Sequence, residues 1–402
     1  MRIYFSPCGL GLGHVGRCYP IAKELEKRGA KTVFSTYLEG LKFLKNENAP
    51  VFEAPPVAAQ VKPDGTIDFA RTAANPGPFI ASYLLTRQVV AEMEYMKAFK
   101  PDVVVSDARA SPIIAAKLLG IPHLCLTNQF QVIIPRRRRF LRLAKFADMI
   151  SLTLIGKIWT SGLTLIPDFP PPYTISLGNL HIPKSYRKKV KLIGPIIHMR
   201  PEQLPSKGEL KKKLNLDDRP VIFAPISGPV KERAYFTGLL RKFFTEFPEQ
   251  YQIVMSLGYP NAPTNPIQHR NLRIYRWMDD QTRFEYLKAC DLVISRAGHG
   301  TISQSMCYGK PMILVPTPSH TEQENNAKRA AQIGIAMLKE QPKLTKNELI
   351  QNVKEILENG KLHKRAAQVQ KDVLRINGLK EAVKIIYRMA EGEENVFASQ
   401  NN

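Results

Sequence analysis

The sequence predicts an α/β chain in which two doubly wound parallel sheets face a cleft, and three observations predict it. Short apolar segments alternate with helical ones through both halves of the chain. A Gly-rich loop follows the first of these segments, and a second Gly-bearing loop follows another in the far half. A polar, Lys-rich stretch at 200–219 separates the two runs. The 402 residues suffice for two domains of about 100–200 residues each.

In chain order, 2–6 (RIYFS) read as a strand and 16–28 as a helix that stops at Gly29. Residues 31–36 form the second strand and 78–99 a long helix. Pro101-Asp102 leads into the strand VVVSD (103–107), and a helix over 111–119 stops at Gly120. HLCLTN (123–128) is the next strand. The run PDFPPP (167–172) forbids helix, and 190–199 read as a strand with a Pro stop. After the linker the rhythm restarts with strands at 220–226, 251–257, 272–276, 291–295 and 311–315. Residues 346–390 are helical by their 3–4 spacing of apolar residues. The expected units are therefore 1–199, a linker at 200–219, 220–375, and a C-terminal helix and tail at 376–402.

Composition narrows the function classes. With 44% hydrophobic and 23% charged residues the chain is globular, not disordered. Five cysteines without a C-x-x-C pair exclude a disulfide framework, a zinc knuckle and an iron–sulfur site, and fit free thiols in a reducing cytosol. No signal peptide fits Met1 to Phe5, and no run of about 18 apolar residues is present. The expected location is cytoplasmic, or peripheral on the inner face of the cell membrane. The formal charge is +23, and 17 Lys and Arg against 4 Asp and Glu lie between Gln131 and Lys213. Such an excess suits an anionic partner, although a solvated basic surface accounts for it equally.

The first loop, Gly9 to Arg17, contains G-x-G-x-x-G at Gly11, Gly13 and Gly16, with Glu39 after the second strand. This spacing fits a dinucleotide site. His14 opens the following helix at the carboxyl end of a strand, where ligands bind in open α/β sheets. It reads either as a general base or as a helix cap. Asp107 ends another strand and reads either as the carboxylate that orients His14 or as the cap of the next helix.

The densest polar pattern lies at 291–334. A strand ends at Ser295, a loop carries Arg296, Gly298, His299 and Gly300, and a helix starts at Thr301. Amides at such a helix start hold a diphosphate, and Arg296 and His299 add donors. After the next strand, His320, Gln323, Glu324, Asn325 and Asn326 suit a ligand rich in hydroxyls.

This segment resembles the donor-binding region of nucleotide-sugar glycosyltransferases of the GT-B fold, MurG-like and related UDP-glycosyltransferases above all. The shared pattern is S-R-x-G-x-x-T-x-x-(E/Q), G-x-P, V-P and Q-x-x-N-A. It falls here on Ser295, Arg296, Gly298, Thr301, Gln304, Gly309, Pro311, Val315, Pro316, Gln323, Asn326 and Ala327. The resemblance implies two Rossmann-like domains, the first binding acceptor and the second the nucleotide sugar. It implies that Arg296 and the amides from Gly298 to Thr301 contact the diphosphate, that Gly228 approaches the phosphates, and that backbone at Trp277 and Met278 faces the base. Gln323 and Glu324 would hold sugar hydroxyls. Gln304 stands where the family commonly has Glu on the ribose, so that contact lacks its charge.

The implied reaction is metal-independent, inverting transfer of a sugar from a nucleotide sugar, the donor substrate, to an acceptor hydroxyl. His14 or Asp107 takes the acceptor proton, and no cofactor is required. Arg136, Arg137, Arg138 and Arg139, interleaved with Phe and Leu over 135–146, suit an anionic membrane and a lipid-linked or polyisoprenoid acceptor. Three readings compete. A non-hydrolysing epimerase of the same fold needs no acceptor. An NAD-dependent oxidoreductase leaves the second Gly loop without a task. A nucleic-acid-binding protein explains the charge and neither loop.

Overall fold

Strand residues that are apolar on both faces demand cover on both sides, and each half of the chain supplies it with helices. The protein is described by a computed structural model over residues 1–56, 77–128, 154, 156–180, 182–226, 228, 230–259 and 262–393. The first half runs β1 (Arg2–Pro7), α1 (Val15–Glu26), β2 (Lys31–Thr36), α2 (Leu38–Asn46), β3 (Val51–Glu53), α3 (Gly77–Phe99), β4 (Val103–Asp107), α4 (Ala110–Leu118), β5 (His123–Leu126), β6 (Leu163–Ile166), α5 (Leu177–Leu180) and β7 (Val190–Leu192). Among the described residues these strands form one parallel sheet in the order β3-β2-β1-β4-β5-β6-β7.

The second half runs α6 (Lys207–Lys213), β8 (Val221–Pro225), α7 (Val230–Thr245), β9 (Gln252–Ser256), β10 (Ile267–His269), β11 (Leu272–Tyr275), α8 (Asp280–Ala289), β12 (Leu292–Ser295), α9 (His299–Cys307), β13 (Met312–Leu314), α10 (Thr321–Ile333), β14 (Ala336–Leu338), α11 (Lys346–Asn359), α12 (Lys361–Val373) and α13 (Gly378–Ala390). Its sheet has the order β10-β11-β9-β8-β12-β13-β14, parallel except for β10. The fold is the expected pair of doubly wound sheets.

Alternation along each strand splits the core between the faces. Ile3 and Phe5 point to a cluster with α1, while Tyr4 points to one with α3 and α4. Val221 and Phe223 pack toward α8, α9 and α12, and Ile222 and Ala224 toward α7 and α11. Two stretches cross between the halves. Phe169 and Ile175, which precede the second half in sequence, lie in its core. Helix α13 returns to the first half and buries Leu379, Val383 and Ile386 beside Ile3 and Val15. The stretch 200–219 contains α6, capped reciprocally by Ser206 and Glu209, and buries Leu204 and Leu210 in the second core.

The strands that sequence patterning overlooks are β3, β10 and β14, with three residues each, and β6, with four, all too short to show a period. The segment with Arg136 to Arg139 lies outside the described residues. Among the described residues no helix is long and apolar enough to cross a membrane.

Candidate active site

In both sheets the strand order reverses between two neighbours, β1 and β4 in the first and β8 and β12 in the second. The carboxyl ends of such strands leave a crevice for ligands. His14 follows β1 and Asp107 ends β4, and register brings them together because Pro7 pairs with Asp107. The His14 Nδ1 lies 2.7 Å from Asp107 Oδ1. His14 holds the N-cap position of α1, but its side chain makes no cap bond there, and α4 is capped in position by Arg109 rather than Asp107. The capping reading of Asp107 is thereby removed, and the His14 side chain is left to Asp107.

Asp107 is fully buried and the His14 side chain is 26% exposed, so the ring alone reaches the crevice. Burial pushes the Asp107 carboxyl up, but Arg17 and His14 outweigh it and hold it below the usual carboxylate range. An ionised carboxylate only accepts hydrogen bonds, so in the tautomer that donates from Nδ1 to Asp107 the Nε2 lone pair is free; Arg17 Nη2 also lies 3.1 Å from Nδ1.

Sequence reasoning overlooked the rest of this network. Arg17 grips Asp107 through two nitrogens, with Nη2 to Oδ1 at 2.5 Å and Nε to Oδ2. Arg17 Nη1 donates to Asn128 Oδ1 at 3.3 Å, and Asn128 Nδ2 donates to Glu322 Oε1 at 2.7 Å. Arg17 stands three residues after His14, one helical turn on, and that spacing was the available signal. The pairing with Asn128 and Glu322 left none, because it is a contact between distant segments. Gly9 is set by packing rather than by a ligand: a Cβ there would lie 1.9 Å from the Tyr37 carbonyl oxygen. Gly11 is left-handed at φ +69°. A Cβ on Gly13 would meet nothing within 4 Å.

Across the crevice, α9 starts at Gly298, which offers its first-turn amides no side-chain cap. Cβ atoms on Gly298 and Gly300 would also meet nothing within 4 Å, so the helix start opens onto free space. Gly228 is left-handed at φ +114° and likewise open. Thr301 is half-buried in the first turn.

Other expected donor residues turn inward. Arg296 is only 6% exposed; it lies 4.0 Å over the Phe236 ring and donates to the Val315 carbonyl at 3.1 Å. His299 is buried, with Nε2 3.2 Å from Asp168 Oδ2. Asp168 accepts from the Phe169, Ile175 and Ser176 amides. Burial raises its pKa, and His299 and Ser176 more than reverse that. His320 caps α10 by accepting from the Gln323 amide. Gln323 Oε1 accepts from the Thr317 amide at 2.9 Å, and Asn326 donates to the Ala297 carbonyl at 3.2 Å. These residues shape the two loops. Gln304 accepts from Arg283 Nη1 at 2.7 Å. Glu324 is half-buried in the first turn of α10, Trp277 is half-buried, and Met278 is in the core. Glu39, expected near a ribose, lies in the first turn of α2.

Comparison with known proteins finds glycosyltransferases across most of the chain. Residues 234–384 match the glycosyltransferase family 28 C-terminal domain. An uncharacterized glycosyltransferase of Methanosarcina mazei is 25% identical over 97% of this chain and 99% of its own. A UDP-N-acetylglucosamine--N-acetylmuramyl-(pentapeptide) pyrophosphoryl-undecaprenol N-acetylglucosamine transferase of Desulforamulus reducens is 27% identical over 73% of this chain and 75% of its own. Among solved structures, MurG of Acinetobacter baumannii superposes with a TM-score of 0.58 at 20% identity, over 96% of this chain and 99% of that one. The glycosyltransferase VinC, in complex with dTDP, gives 0.61 at 16% identity, over 98% and 100%.

Proposed function

We propose that this chain, which has the GT-B fold, is a MurG-like glycosyltransferase that moves a sugar from a nucleotide sugar to an acceptor hydroxyl with inversion. The observation that carries the proposal is the His14–Asp107 pair, facing a crevice whose opposite wall is a helix start without a cap. On this reading His14 Nε2 takes the acceptor O–H proton while the acceptor oxygen attacks the anomeric carbon. The bond from that carbon to the phosphate oxygen breaks, and the nucleoside diphosphate leaves with the electron pair. Asp107 holds the ring and stabilises the imidazolium that forms. The first-turn amides of α9 and the open approach at Gly228 receive the diphosphate. Arg296, buried on Phe236, supports that loop from behind.

The proposed donor is a uridine diphosphate sugar and the acceptor a lipid-linked, polyisoprenoid one met at the inner membrane face. The name of the Desulforamulus relative favours both, and the basic excess between Gln131 and Lys213 favours an anionic surface.

A thermal-shift panel of UDP, GDP, dTDP, their sugars, NAD and NADP tests the donor. A ligand at 100 times its dissociation constant adds about 2.7 kcal/mol of stability. Stabilisation by one nucleoside diphosphate supports the proposal, and stabilisation by NAD alone refutes it. His14→Ala is expected to remove turnover while sparing nucleotide affinity. Pelleting with anionic but not neutral vesicles is the expected membrane result.

A further inference from the structure

We propose that Asn128 and Glu322 form a cross-cleft relay that sets the catalytic pair in line only when the two halves of the protein are closed on each other. The proposal rests on His14 as the base. The relay runs without a gap from the donor half to the reacting ring. Glu322 accepts from Asn128 at 2.7 Å, Asn128 accepts from Arg17 at 3.3 Å, Arg17 holds Asp107 at 2.5 Å, and Asp107 holds His14 at 2.7 Å.

Chemistry fixes the direction of every link. Arg17 has only donors and Glu322, as carboxylate, only acceptors, so the amide between them fits in one orientation. Turning Asn128 over would set its NH₂ against a guanidinium and its oxygen against a carboxylate. Asn128 is buried, and an amide mismatched on both sides would cost more there than in water.

Glu322 sits in the first turn of α10. That helix also carries Asn326, which is bonded to the Ala297 carbonyl in the loop before α9. The relay therefore reports the position of both helix starts that face the ligand. Asp168 and Asn179, which meet His299 at 3.2 Å and Asn325 at 2.8 Å, flank the crossing stretch that lies in the second core, so those contacts stay within the second half. Separating the halves breaks the Asn128–Glu322 bond. It leaves Asn128 without the carboxylate that fixes its amide, so the oxygen that holds Arg17 Nη1, and through Arg17 the Asp107 oxygen on His14, loses its outer support. Asn128 and Glu322 are thus positioning residues, which act through Arg17.

The test uses the full chain, with UDP release from the nucleotide sugar selected by thermal shift as one readout. The second readout is the His14 ring resonance followed by NMR through a pH titration, which needs no substrate. Asn128→Ala and Glu322→Ala are each expected to lower turnover by about tenfold or more, with the UDP dissociation constant unchanged. The double variant is expected to be no worse than either single one, as for residues in one network. Both single variants should shift the His14 titration. Full turnover in Asn128→Ala, additive losses, or an unmoved His14 titration would each overturn the relay and leave the base assignment standing. Full turnover in His14→Ala would overturn both.

Discussion

Replacing Asp107 by Asn keeps the shape of the side chain and removes the charge on which two partners depend. The carboxylate is fully buried and accepts from Arg17 at 2.5 Å and from His14 at 2.7 Å on the same oxygen. An amide has one oxygen to offer. If that oxygen takes the Oδ2 place against Arg17 Nε, the NH₂ faces His14 Nδ1 and Arg17 Nη2 together, and donating to the ring would move its proton to Nε2, so the base loses its lone pair. If the oxygen takes the Oδ1 place, the NH₂ meets Arg17 Nε donor to donor; in either case a guanidinium only 13% exposed is left without its anion. Loss of general-base action costs about 10²–10⁴ in rate. Breaking a buried ion pair costs about 3–5 kcal/mol. For a unit of about 200 residues that corresponds to a fall in Tm of roughly 6–20 °C. Calorimetry should also show a pH signature. The folded Asp107 pKa lies below its ordinary 3.8, so its stabilisation is present above pH 3.8 and is lost as pH falls through the folded value. Asp107→Asn lacks that component, and its Tm deficit against the natural protein should narrow in acid. His14→Ala supplies the contrast, since a ring partly in solvent should leave Tm within about 2–3 °C. An Asp107→Asn protein with the natural Tm and more than a tenth of the natural turnover would refute the reasoning.

Other substitutions separate ligand space from packing. Gly298→Val has open space for its side chain and an ordinary φ of −67°, so Tm should change little while stabilisation by UDP falls at least tenfold in affinity. Unchanged UDP affinity would remove the α9 start from the diphosphate site. Gly9→Ala forces a Cβ against the Tyr37 carbonyl oxygen and should cost about 1–3 kcal/mol in chemical denaturation, with wild-type stability refuting the close approach. Arg296→Ala should lower stability by about 1–3 kcal/mol, because the guanidinium packs on Phe236; a loss of UDP affinity with unchanged stability would instead assign it to the ligand.

The long periodic elements were legible because their pattern is local. The strand VVVSD is buried on both faces and reads as an apolar run, and the stops at Gly29 and Gly120 fall where helices α1 and α4 give way to left-handed turns. Elements of three residues carry no period and stayed hidden. At the site, His14 and Asp107 were legible from their places at two strand ends, and Arg17 could have been found one turn beyond His14. Asn128 and Glu322 are 194 residues apart, and no spacing in the sequence relates them.

By itself the sequence determined the two doubly wound sheets, the pair of residues at the first crevice and the loop at the second, because these follow from periodicity and from the backbone freedom of glycine. Only the tertiary structure decided which polar side chains face the crevice and which hold its walls. His299, Arg296, Gln323 and Asn326 belong to the dense polar segment, yet His299 lies against Asp168 and the others bond to Val315, Thr317 and Ala297 within the protein. A buried polar group must find a partner, and where that partner lies is set by packing between distant segments rather than by neighbours in the chain.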